Sequence, residues 1–221
     1  MELSKDQIQR IDGFLERLGF EYIDIRYEMV DHIATDIEQN IVNHDEFFRK
    51  NKMHGQFLGY MMRKKNDLEK NYVQQSKKQF LFNLWKITKQ VSKSILNFKV
   101  LVVILFSFTF FQQLINYNIK YTVIITAIIS VVVCGFSTLF LWQQIKNIGK
   151  VRVVHSYYSI VFFLTYLATY IPNIFTIYKP ENHNIFVANF HFVLIFLNVL
   201  VVINFVKHKN QFKNRYKYLL S

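Results

Sequence analysis

FKVLVVILFSFTFFQQLIN, residues 98–116, decides how this chain is read. Apart from Lys99 at its start it holds no charge, and it is about as long as the ~20 helical residues that cross a hydrocarbon core. Three further stretches, 121–142, 153–178 and 185–206, have the same character, and none carries Lys, Arg, Asp or Glu in its middle. Four transmembrane helices over residues 98–206 are the expectation. Lys86, Lys89, Lys93 and Lys99 precede the first span, Lys146, Lys150 and Arg152 separate the second and third, and Lys207, Lys209, Lys213, Arg215 and Lys217 follow the fourth. The opposite connections hold only Lys120 and Lys179. Cationic loops stay on the cytoplasmic side, so both termini are expected in the cytoplasm and the protein in the cell inner membrane.

Charge divides the chain. Residues 1–69 contain 14 of the 15 acids against ten Lys/Arg; beyond them stand 17 Lys/Arg and one acid, Glu181. The net charge of +12 therefore belongs to the membrane-flanking part. Basic residues bordering apolar runs suit anionic lipid headgroups, and a nucleic-acid partner is not expected. The single cysteine, Cys134, lies inside an apolar run, which leaves no disulfide framework or thiol metal cluster. The polar start MELSKDQIQR lacks the apolar core of a cleavable signal.

Within the spans, Ala127, Ser130, Cys134 and Ser137 recur at helical spacing, as a stripe that lets another helix approach closely. Asn184, His191 and Asn198 recur every seven residues on the last span, with Tyr166, Tyr170 and Asn173 on the third. Polar groups at membrane depth face protein or a cavity, so His191 and Asn198 serve either interhelical hydrogen bonds or a transport path. Pro172 is expected to kink the third span, and Lys179 to Asn182 to turn the chain.

Ahead of the membrane, residues 71–97 read as a basic amphipathic helix. Phe80, Leu84, Ile87, Val91, Ile95 and Phe98 project to one side and Lys78, Lys86, Lys89 and Lys93 to the other. With Trp85 beside it, this helix is expected to lie along the cytoplasmic leaflet.

Residues 1–70 read as a small cytosolic helical domain. Ser4 is its N-cap, Gln7 closes a capping box, and Leu3 with Ile8 forms the staple of a first helix that Gly19 ends. In the second helix Tyr22, Ile25, Met29, Ile33, Ile37 and Ile41 share one face, while Glu28, Asp31, Thr35, Glu38 and Gln39 point away and His32 and Asp36 fall at the border. Glu28, His32 and Asp36 are successive at i, i+4, which would hold the imidazole between two carboxylates. Arg26 falls within the apolar face and calls for a carboxylate, on the first helix, or a helix C-terminus. One His and two acids on one helix make an incomplete zinc set unless His44 or His54 folds back, and the order is not H-E-x-x-H; no metal, cofactor or catalytic residue is assigned. A third helix is expected from Asn43, with Asp45 and Glu46 in its first turn and Phe47, Phe48, Phe57, Leu58, Met61 and Met62 as its apolar set. Residues 207–221 form a basic cytosolic tail.

YIDIRYEMVDHIATDIE, preceded by the helix QIQRIDGFLERLG and followed by membrane spans, resembles the HAAS-type domain, a helical module at the cytoplasmic N-terminus of bacterial membrane proteins linked with sensing. Arg26, Glu28 and the Asp31-His32 pair occupy the matching positions, over residues 1–40. The resemblance implies regulatory association and assigns no reaction.

The combined expectation is an all-α chain, a small cytosolic helical domain followed by a four-helix transmembrane bundle. It is not read as an enzyme but as a signalling or regulatory accessory that meets a protein partner through Glu28, Asp31, His32 and Asp36. A small transporter or channel subunit built on His191 and Asn198, which would require homo-oligomers, is the alternative. A metal-dependent membrane enzyme is the second.

Overall fold

The computed structural model describes residues 2–49, 55–175 and 183–216. Throughout these the regular structure is helical: α1 Lys5–Arg17, α2 Ile23–Asn40, α3 His44–Phe47, α4 Gln56–Ile95, α5 Phe98–Tyr117, α6 Ile119–Ile148, α7 Arg152–Phe175 and α8 His183–Tyr216. The chain forms two compact units. One takes in Met1–Leu81 with Gly149–Arg152, the other Phe82–Ile148 with Val153–Arg215.

In the first unit the local signals act as the sequence implies. The Ser4 hydroxyl accepts from the Gln7 amide at 3.3 Å and the Gln7 side chain accepts from the Ser4 amide at 2.8 Å, which satisfies two amides that a helix start leaves open. Gly19 ends the helix region at φ +84°, a conformation that costs a residue with a Cβ. The apolar faces of α1 and α2 then close on α4. Ile11, Leu15, Ile25, Ile37 and Met61 are fully buried, and each such side chain contributes about 1.5–3 kcal/mol. Phe47 and Phe48 bring α3 onto this core, the Phe48 ring stacking on Phe57 with centroids 4.8 Å apart.

Asn43 caps a single turn, α3, and Phe57 to Met62 belong to α4. That helix runs unbroken through residues 70–71, where composition changes, because no glycine or proline interrupts the chain between Tyr60 and Ile95. Asn97 breaks it from α5 by accepting the Lys99 amide at 3.1 Å.

In the second unit α5, α6 and α8 are long and apolar enough to cross a membrane. The third expected span, 153–178, extends beyond the described part of α7, and the expected turn at Lys179 to Asn182 lies outside the described residues. At Asn118 the chain reverses directly from α5 into α6, and the Thr122 hydroxyl bonds back to the Leu114 and Asn118 carbonyls.

The unit exposes much apolar surface and buries several polar side chains among its apolar ones. Phe106, Ile128 and Leu139 are more than half exposed, whereas Ser130, Ser156 and Asn198 are fully buried. Water would favour the reverse arrangement and hydrocarbon favours this one. Contacts between the helices include Gln112 Nε2 to Asn189 Oδ1 at 2.8 Å, Thr138 to Thr165 hydroxyls at 3.3 Å and Tyr157 Oη to Asn204 Oδ1 at 2.6 Å. The small residues Ser130 and Cys134 on α6 face this interior.

Candidate functional site

α2 presents Glu28, Asp31 and His32 on its exposed side, as its periodicity requires once Ile25, Met29, Ile33 and Ile37 are buried. The three do not form one constellation with Asp36. Glu28 accepts from the Gln79 amide at 3.2 Å through both oxygens. Asp36 is drawn toward α4 instead, where it accepts from the Tyr60 hydroxyl and, at 2.5 Å, from the Lys64 ammonium. Lys64 and then Tyr60 hold its carboxyl below the usual range. The expected bracketing of His32 by two carboxylates is thus replaced by pairing with α4, because an exposed i, i+4 pair is worth only about 0.2–0.5 kcal/mol and yields easily to other partners. His32 borders a shallow groove floored by Met29, Ile33 and Leu68, with Asn71, Gln74 and Gln75 opposite.

Arg26 meets the carboxylates that its place on an apolar face demands. Its Nε lies 2.7 Å from Asp12 and its Nη1 3.3 Å from Glu16, both on α1, and Nη1 also donates to the Phe20 carbonyl.

Sequence reasoning missed a clasp in the same unit. The Ile23 amide donates to the Lys150 carbonyl at 3.1 Å, and Lys150 Nζ pairs with Glu21 at 2.8 Å. The Asp24 carboxylate accepts from the Arg152 backbone amide, which opens α7, at 3.1 and 3.2 Å. A carboxylate there satisfies an open amide and complements the positive end of the helix dipole. Burial pushes the Asp24 carboxyl above its ordinary range, outweighing the Arg152 and Ile25 amides that hold it down. The Arg152 side chain completes the clasp: Nε donates to the Ser76 carbonyl at 3.1 Å, Nη1 to the Tyr22 hydroxyl, and the guanidinium lies over the rings of Tyr22 and Phe80. Gly149, at φ +89°, supplies the turn that presents this segment. Lys150 and Arg152 carried the sequence signal only as flanking charges.

In the second unit His191 and Asn198 are both buried, on one face of α8 but two turns, about 10 Å, apart along its axis. Asn198 Nδ2 donates to Cys134 Sγ at 3.4 Å. Asn198 Oδ1 and His191 Nδ1 have no hydrogen-bond partner among the described residues.

The juxtamembrane face also differs from its projection. Ile87 and Val91 of the expected stripe are buried in the protein while Phe98 is exposed, and the exposed apolar side chains off that stripe include Leu81, Phe82 and Trp85, with Lys89 Nζ 4.8 Å from the Trp85 ring. Among the described residues no three His, Cys, Asp or Glu side chains gather as a metal site; His54 lies outside them.

Compared with known proteins, the chain matches no family model, no curated protein and no solved structure. What fold and site define is a class: an all-helical protein with three helices apolar enough for a membrane and an N-terminal unit that has its own core.

Proposed function

We propose that this is a multi-pass inner-membrane protein, a four-helix bundle with a cytosolic head, which acts as a signalling or regulatory accessory. The head meets a protein partner through Glu28, Asp31 and His32, and Asp36 fixes that face by tying α2 to α4. The observation that carries the reading is the clasp of residues 21–24 on residues 149–152. A partner that moves α2 acts on Asp24, and Asp24 holds the first amide of α7. Contact on the head is thereby converted into a change at the start of a long helix. The exposed trio Leu81, Phe82 and Trp85, with Lys86 and Lys89 in the same turns, rests on anionic headgroups of the cytoplasmic leaflet. The HAAS-type resemblance of residues 1–40 points the same way.

Crosslinking and recovery of the full-length protein from its native membrane tests this. A defined protein recovered with the wild type and lost with Glu28→Ala/His32→Ala supports the head as an adaptor; recovery unchanged by the double variant removes that assignment.

A second reading rests on the unpaired buried atoms of His191 and Asn198. Such groups at membrane depth serve a polar path through an oligomer of this chain. Solute or proton flux in liposomes that is lost on His191→Ala supports it, and absence of flux counts against it.

A further inference from the structure

We propose that the head carries a second docking surface, separate from the acidic side of α2, which takes an amphipathic helix with acidic flanks from a partner protein. The surface is a groove of about 880 Å³ between α1 and the first turns of α4. Arg10, Arg17, Arg49 and Lys65 line it, and Leu58 and Met62 project into it. It adjoins a depression of about 620 Å³ that shares Leu58 and Met62 and adds Arg63. Two turns of α4 therefore present one apolar ridge between basic borders.

Three observations favour this occupant. The first is charge. Residues 1–69 are acidic in sum, yet five of their ten Lys/Arg gather at these two concavities, of which Lys65 lies 3.7 Å from Glu69, while Arg26 and Lys64 are engaged by Asp12, Glu16 and Asp36 elsewhere. Glu16, the one acid on the groove, is 3.3 Å from Arg26 and partly neutralised. A positive concavity on an acidic domain attracts and orients acidic partners and repels basic ones.

The second is apolar exposure. Leu58 and Met62 are 47% and 57% exposed, one helical turn apart, which is the spacing of ridges that accept a partner helix. The Met62 side chain adapts its shape to such a ridge. A membrane surface would be met by a convex face such as Leu81, Phe82 and Trp85; a concave floor suits a row of side chains.

The third is the floor. Gly13 lies in the middle of α1, where glycine is about 1 kcal/mol less favourable than alanine, and a Cβ placed on it would meet no atom within 4 Å. The helix is left bare where a partner backbone would approach. Arg10 is set rigidly at one wall, since it donates to the Phe48 carbonyl and lies over the rings of Phe48 and Phe57 at 5.7 and 5.6 Å.

The test uses the full chain in zwitterionic nanodiscs and two labelled helical peptides of about five turns (~18 residues). Both carry the same leucine stripe, flanked by Glu in one and by Lys in the other, and empty nanodiscs give the background. Fluorescence anisotropy is expected to show at least tenfold tighter binding of the Glu-flanked peptide. Arg17→Glu/Arg49→Glu, at two exposed positions, is expected to remove that preference, and Gly13→Leu to weaken binding with thermal unfolding little changed. Equal binding of the two peptides overturns the proposal, as does a preference that survives the charge reversal. It is overturned equally if the charge-reversed variant instead loses binding to anionic vesicles, which assigns the groove to lipid. A wild-type dimer that the same variant dissociates would assign it to a second copy.

Discussion

The Asp24 carboxylate caps the Arg152 amide at 3.1 Å across 128 positions of sequence, so α2 holds the first residue of α7. Asp24→Ala leaves that amide without its acceptor and is expected to lower stability by about 1–2 kcal/mol, read from thermal unfolding in nanodiscs. Asp24→Asn keeps an acceptor and is expected to be near neutral. The sign with pH follows from the raised carboxyl: the stabilising contribution of its protonated form is complete below the unfolded value of 3.8 and is lost as pH rises through the folded value. The Asn variant should lack that decline.

Asp36 behaves in the opposite sense. Its carboxyl is held low by Lys64 and Tyr60, so its contribution is present above 3.8 and is lost as pH falls through the lowered folded value. The pair is well exposed, and solvent screening limits it to about 0.2–1 kcal/mol. A double-mutant cycle of Asp36→Asn with Lys64→Met, run at low and high salt, should return a coupling in that range that shrinks with salt.

Arg26 is 11% exposed, and its partners are unequal: Asp12 at 2.7 Å and 41% exposed, Glu16 at 3.3 Å and 66% exposed. Arg26→Ala should destabilise the unit by about 1–3 kcal/mol through lost packing and charge-assisted bonds. Asp12→Ala should cost more than Glu16→Ala, and unfolding midpoints of the three variants check the order.

Trp85 is 62% exposed and carries Lys89 beside its ring. In a Trp142→Phe background, spin-labelled lipids should quench Trp85 most strongly when the label sits at headgroup depth. Lys86→Glu/Lys89→Glu should reduce that quenching in anionic nanodiscs and leave it unchanged in zwitterionic ones.

Local order was legible in the sequence where one short segment determined it. Ser4 with Gln7, Gly19, the Ile25 to Ile37 face and the acid requirement of Arg26 each follow from neighbours within a few turns or from the next helix. Three of the four apolar runs, now α5, α6 and α8, were legible as helices long and apolar enough for a membrane, because that criterion rests on length and composition alone. The continuity of α4 was obscured by its change in charge, which is no helix stop, and no glycine or proline lies between Tyr60 and Ile95 to weaken the helix there. Projection at 100° per residue placed Ile87 on an apolar face, but it cannot say which faces a neighbour covers, and so it did not distinguish Ile87 from Trp85. The clasp joins residues 21–24 to 149–152, and a pairing at that separation leaves no periodic trace in a single chain.

The most direct measurement is site-specific photocrosslinking from position 31 of the full-length protein in its native membrane. One protein adduct of defined mass, lost when Glu28→Ala and His32→Ala are added, is the expected result. No adduct, or an adduct indifferent to those substitutions, would contradict a partner on the acidic face of α2.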